Sequence, residues 1–268
     1  MNSENYLQTL DQLIRQLQQL RQELAEDLSR TSPLVVCLDA GHGGTHPDTG
    51  VYMTPPQRGR YYRHLNPDGS LAFEIREGDI NRQIAERVAD ECERNRIPVV
   101  KTYHAYLDSP LTERVRLANQ THDQARAEGR TTIFISLHSD AFGKVLETPF
   151  RDGQPQRSQP NGFSVFTSRG NTRSDHLAER LYARMEARIK DPIRYRRERS
   201  DGDSDWEKNF AVLYYTKAPA ILVENLFFTN YEDAQRLMST TYQQQSALAI
   251  FDVIREEFAY LRQQGDQT

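Results

Sequence analysis

Sulfur chemistry is nearly absent from this 268-residue chain, which carries only Cys37 and Cys92. One lies in a strand-like run and the other in a helical one. They read as buried free thiols acting as small hydrophobes, which argues against a disulfide-stapled scaffold or a redox pair. No apolar run approaches the length of a membrane span. A cationic surplus is missing too: 34 Lys and Arg stand against 38 Asp and Glu, a net charge of -4, where a nucleic-acid binder shows a basic balance. The opening Met1-Asn2-Ser3-Glu4-Asn5 leads into a polar stretch and reads as no secretory signal. Internal repeats are not apparent. With 37% hydrophobic and 27% charged residues, the chain is globular and long enough for one large core.

Leu7, Leu10, Leu13, Leu17, Leu20 and Leu24 recur at spacings of three and four, which predicts an amphipathic helix over residues 4 to about 30. Its short heptad pattern suits self-association, packing on its own domain, or a protein partner. Thr31-Ser32-Pro33 ends it, because proline disfavours helix in the residue before it. The division expected is therefore an N-terminal helix, 1–32, and one larger domain, 33–268.

Within that domain, Leu34 to Ala40 reads as a strand. Tyr61–Leu65 and Ser70–Ile75 flank Asn66-Pro67-Asp68-Gly69, a type I turn signal, and predict a protruding hairpin. A helix striped by Ile80, Ile84, Val88 and Cys92 follows, then a strand from Pro98 to His104, then a helix begun by Ser109-Pro110 as cap and first-turn proline. Thr131 to His138 and Phe163 to Thr167 read as strands, as do Ala211–Tyr215 and Pro219–Val223. Leu177, Leu181, Met185 and Ile189 stripe one later helix, and Leu248, Phe251, Ile254, Phe258 and Leu261 the last. Asn230 caps a short one between them. This alternation predicts a single α/β domain with a mostly parallel central sheet flanked by helices.

Three strand-like runs end in chemistry-bearing side chains: His42 within Gly41-His42-Gly43-Gly44, His138, and Glu224. Parallel strands bring their carboxyl ends to one rim, where open α/β sheets place their sites. Glu77, at the start of the helix after the hairpin, reaches the same rim by topology. A catalytic zinc takes three His or carboxylate ligands and keeps one position open, a count that His42, Glu77 and His138 satisfy. Glu224 fits the non-ligand base such a site needs. Spacing alone does not settle these assignments. Asp39 is a candidate to orient a ligand imidazole or to cap a turn. His46, His64, His104, His122 and His176 read as surface or packing residues. Asp201, Asp203 and Asp205 follow a basic run, but their spacing does not match a calcium-binding EF-hand loop.

Several segments taken in order resemble the zinc-dependent N-acetylmuramoyl-L-alanine amidases of the Amidase_3 type. They are Leu38-Asp39-Ala40-Gly41-His42-Gly43-Gly44, Glu77-Gly78-Asp79-Ile80-Asn81, Leu111 to Asn119, Ser136 to Phe142, and Thr216 to Asn230. The resemblance spans roughly residues 34 to 260. It implies Zn2+ on His42, Glu77 and His138, with Glu224 as the catalytic carboxylate. It also implies cleavage of the amide between the lactyl group of N-acetylmuramic acid and L-alanine in peptidoglycan, by zinc-activated water. Action at the bacterial cell wall or periplasm follows, with delivery by phage lysis, an injection machine or a removed signal.

The segment between His42 and Glu77 is longer than usual for that family, which brings Glu74 forward as a rival third ligand. Regulated members carry a plug helix after the second histidine strand, and residues 143–161 look too irregular to form one. Two rival functions stand beside the amidase reading: another zinc peptidase of the wall using the same four residues, and a structural, non-catalytic component of a phage tail or injection machine docked through residues 4 to 30.

Overall fold

The computed structural model describes residues 10–20, 32–143, 150–151, 154–155, 160–170 and 172–265. Residues 10–20 are helical (α1) and carry Leu10, Leu13, Leu17 and Leu20 exposed. The remainder of the expected N-terminal helix lies outside the described residues.

A six-stranded sheet forms the centre, in the order β4 (Val99–Lys101), β1 (Leu34–Ala40), β5 (Thr131–Asp140), β10 (Ala220–Phe227), β8 (Ser164–Thr167) and β9 (Trp206–Glu207). The first four are mutually parallel and β8 runs against β10. β1 is buried along its whole length, because a parallel strand covered on both faces is apolar throughout rather than alternating. On one face α2 (Glu77–Arg94) and α4 (Arg173–Arg188) pack through Ile84, Val88, Leu177 and Leu181. The long α7 (Thr240–Gly265) joins them through Ile250 and Ile254. On the other face α3 (Leu111–Ala127) and the four-residue α5 (Ala211–Tyr214) cover Cys37, Phe134 and Leu222. Both thiols are buried, and burial pushes each to about 12, so they are inert at neutral pH.

The turn Asn66–Gly69 closes the hairpin β2 (Tyr61–Leu65) and β3 (Leu71–Arg76), with Gly69 at φ +84° and its N–H on the Asn66 carbonyl. The hairpin does not protrude freely. Tyr62, His64 and Ile75 are buried, and His64 Nε2 lies 3.0 Å from the Phe228 carbonyl oxygen. His64 is a packing residue, as expected. The short helix α6 (Tyr231–Met238) is capped by the Asn230 side chain, which accepts from the Asp233 N–H.

Three local expectations are corrected. Ala211–Tyr215 is a helical turn, not a strand: Val212 and Leu213 are buried side by side while Tyr214 and Tyr215 are exposed, a pattern no alternating strand can produce. Strand β4 stops at Lys101, although the Thr102 N–H still reaches the Leu38 carbonyl. Ser109 does not cap α3. Pro110 holds the cap position, and Ser109 Oγ accepts from the His104 N–H instead. The stretch 143–161 falls mostly outside the described residues, apart from a small pairing of β6 (Phe150–Arg151) with β7 (Gln154–Pro155).

Candidate active site

The register of the parallel strands assembles the site. Ala40 of β1 lies beside Leu137 of β5, so His42 and His138 emerge at neighbouring strand ends, their rings T-shaped with centroids 5.1 Å apart. Gly41 permits this approach, since a Cβ there would stand 2.1 Å from the His138 ring. Helix α2 begins at the same rim and delivers Glu77 as its first residue, fully buried. Glu77 Oε1 lies 3.3 Å from His42 Nε2 and 3.1 Å from His138 Nδ1. Gly78 is needed for this docking, because a Cβ would fall 1.8 Å from the Gly43 carbonyl oxygen.

One donor atom from each of His42, Glu77 and His138 lies within 4.8 Å of the other two, a set that can hold a metal ion. Burial pushes the Glu77 carboxyl up, but His42 and His138 outweigh it and hold the group well below the usual range. His138 is pushed down by burial, against the pull of Glu77. An anionic carboxylate beside a neutral imidazole is the ionisation state that metal ligation demands. Glu74, the rival, faces elsewhere: it pairs with Arg63 at 2.8 Å and with Arg76 at 2.9 Å on the hairpin.

Glu224 sits on β10 directly beside His138, with Ser164 of β8 on its other side. Its Oε2 is buried and has no hydrogen-bond partner among the described residues. Burial, then the charges of Asp140 and Glu77, push its carboxyl well above the ordinary range, with Arg60 and Arg196 pulling the other way. Asp140 itself accepts from Arg196 at 2.9 Å, and Arg60 Nη1 reaches Glu77 Oε2 at 3.5 Å.

Two buried arginines hold the turn that bears His42, and neither was singled out from the sequence. His42 has φ +63°, a left-handed conformation that non-glycine residues adopt only when their surroundings enforce it. Its carbonyl accepts from Arg82 Nη2 at 2.7 Å and from Arg114 Nη2 at 3.2 Å. Arg114 also donates to the Ala40 carbonyl and to Asp39 Oδ1, both at 2.6 Å. Asp39 therefore neither orients an imidazole nor caps a turn. It is the buried counter-ion of Arg114, and it also accepts from Ser136 at 2.7 Å and Thr102 at 3.1 Å. Burial pushes its carboxyl up, but Arg114 and the Ser136 hydrogen bond win and hold it below the ordinary aspartate range. The stability Asp39 lends is thus present at neutral pH and is lost as pH falls through that depressed pKa. Arg114→Met strands a buried carboxylate, and unfolding in denaturant is expected to show a loss of roughly 3–5 kcal/mol.

These residues fall inside one family pattern, that of the N-acetylmuramoyl-L-alanine amidases (Amidase_3), which matches residues 36–256. The chain belongs to this family. It is 26% identical over 266 residues to the N-acetylmuramoyl-L-alanine amidase AmiC of Escherichia coli O6:H1, covering 86% of this chain and 54% of that protein. Against the N-acetylmuramoyl-L-alanine amidase LytC of Bacillus subtilis it is 27% identical over 190 residues, covering 69% and 32% respectively. The chain thus spans about half the length of the first relative and about a third of the second. Among solved structures, the amidase AmiC2 of Nostoc punctiforme superposes with a TM-score of 0.55 at 26% identity, covering 85% of this chain and 98% of that one. An N-acetylmuramoyl-L-alanine amidase of Clostridium difficile 630 shares the fold with a TM-score of 0.59 at 23% identity, covering 84% and 97%. The mostly parallel sheet and its flanking helices are therefore the family's architecture. No helix among the described residues is long and apolar enough to cross a membrane.

Proposed function

We propose that this chain is a zinc-dependent amidase that hydrolyses the bond between the lactyl group of N-acetylmuramic acid and L-alanine in peptidoglycan. The observation that carries the reading is the convergence of His42, Glu77 and His138 at one rim, with an unpaired buried Glu224 oxygen in the adjoining strand. Two imidazoles and one carboxylate form a catalytic zinc donor set, because they leave a coordination position open. Held by His42, Glu77 and His138, a zinc ion would supply Lewis-acid chemistry toward water and the scissile carbonyl, and its charge would offset the anionic field that Glu77 and Asp140 place around Glu224.

The chain's own residues supply the rest. Glu224 accepts the proton of the attacking water and returns it to the departing amide nitrogen. Arg82 and Arg114 fix the backbone that aims His42. The Arg196 guanidinium engages Asp140, limiting the negative charge around Glu224. The exposed leucines of α1 support a role in self-association or protein contact rather than in chemistry. Family membership supports action at the cell wall.

Digesting purified peptidoglycan and sequencing the new amino termini tests this. New N-terminal L-alanine with no new reducing sugar ends is the expected product. New termini at other stem-peptide residues would assign the site to a wall peptidase instead, and an undigested wall would favour the structural role.

A further inference from the structure

A second group of carboxylates lies well apart in sequence from the zinc ligands. Asp175 is in the first turn of α4, and Asp203 and Asp205 precede β9. One oxygen from each lies within 4.8 Å of the other two. Three anions in contact are not in themselves a site, but Asp205 adds an independent fact. It is 1% exposed, its Oδ2 accepts from Thr167, and its Oδ1 is buried with no hydrogen-bond partner among the described residues. Asp203 Oδ1 is buried and unpartnered as well.

Leaving a buried carboxylate oxygen unsatisfied is costly. Arg173 is engaged by Glu257, Arg196 by Asp140 and Arg197 by Glu186, while Arg199 lines the cavity beside the group and makes no ion pair with the three carboxylates among the described residues. A cavity of about 540 Å3, lined in part by Asp175, Glu179, Asp201 and Asp203, adjoins the group and has room for water. The trio offers carboxylate oxygens alone. Hard cations with six to eight oxygen ligands suit such a set, whereas zinc prefers the mixed nitrogen and oxygen set of the other site.

We infer that Asp175, Asp203 and Asp205 form a calcium-class divalent cation site that pins the loop before β9 to the start of α4 and, through Thr167, to β8. The competing state is one in which Asp203 and Asp205 share a proton and bind no metal.

The test uses the full zinc-loaded chain in calcium-free buffer, titrated with Ca2+. Tb3+ serves as a luminescent probe, sensitised by Trp206, the chain's single tryptophan and Asp205's neighbour in sequence. The expected result is a saturable terbium signal that Ca2+ displaces. A rise in Tm of about 3 °C is expected when Ca2+ exceeds its Kd roughly tenfold. Asp205→Asn should abolish both responses without lowering the Tm of the calcium-free protein, since it removes an uncompensated charge. Asp203→Asn, at a more exposed position, should weaken binding at least ~10-fold and carries the test if the first variant misfolds. Absence of both responses in the unmodified chain up to about 10 mM Ca2+ would overturn the site, as would undiminished responses in these variants.

Discussion

Glu224→Gln is expected to retain zinc and melting temperature while turnover on peptidoglycan falls by about 10²–10⁴-fold. Glutamine preserves the size of the side chain and can still hydrogen-bond to water, but it cannot accept a proton near neutral pH. The local structure makes this substitution unusually clean. Among the described residues Glu224 Oε2 has no hydrogen-bond partner to lose, and the nearby Arg60 and Arg196 pair with Glu77 and Asp140 instead. A residue that held the fold together would behave in the opposite way, losing stability and keeping turnover per folded molecule. Zinc content, Tm and turnover measured on one preparation separate the two, and near-normal turnover with normal zinc would remove Glu224 from the chemistry.

The second large effect is on metal retention. Glu77→Ala is expected to lose most of the bound zinc, because Glu77 Oε1 is the atom that both imidazoles approach. Glu74→Ala should keep its metal and forfeit only its surface pairs with Arg63 and Arg76, with little loss of stability. Elemental analysis after mild dialysis reads the difference. Metal lost from the Glu74 variant and kept by the Glu77 variant would reverse the assignment.

Much of the architecture was legible because it rests on patterns that survive without tertiary knowledge. Strands buried on both faces read as apolar runs, helices as stripes, and the hairpin as a proline and glycine at fixed turn positions. The rim location of His42, His138 and Glu224 followed from topology alone. What escaped was chiefly the set of interactions fixed by register and by long side chains. Arg82 and Arg114 occupy positions in amphipathic helices where an arginine ordinarily faces solvent, and nothing local shows that both reach back to one carbonyl. Asp39 was recognised as part of the site but not as a counter-ion, because its partner lies 75 residues away. Asp140 and Arg60 matter through charge felt across strands and across the hairpin, which no spacing encodes. At Ala211–Tyr215 the β-prone composition misled, since packing against Phe134 and Leu222 required two adjacent side chains to point inward.

The hairpin carries a consequence for engineering. Its base is tied to the proposed metal site, since Arg60 reaches Glu77 and β3 runs straight into the helix that Glu77 begins. Its tip, Pro67 to Ser70, is exposed to solvent and closed by a turn whose hydrogen bonds are its own. The metal position and the hairpin's reach are therefore separately adjustable. Residues inserted at that tip would lengthen the arm while His42, Glu77 and His138 stay where they are, which makes it a natural graft point for changing what the hairpin touches.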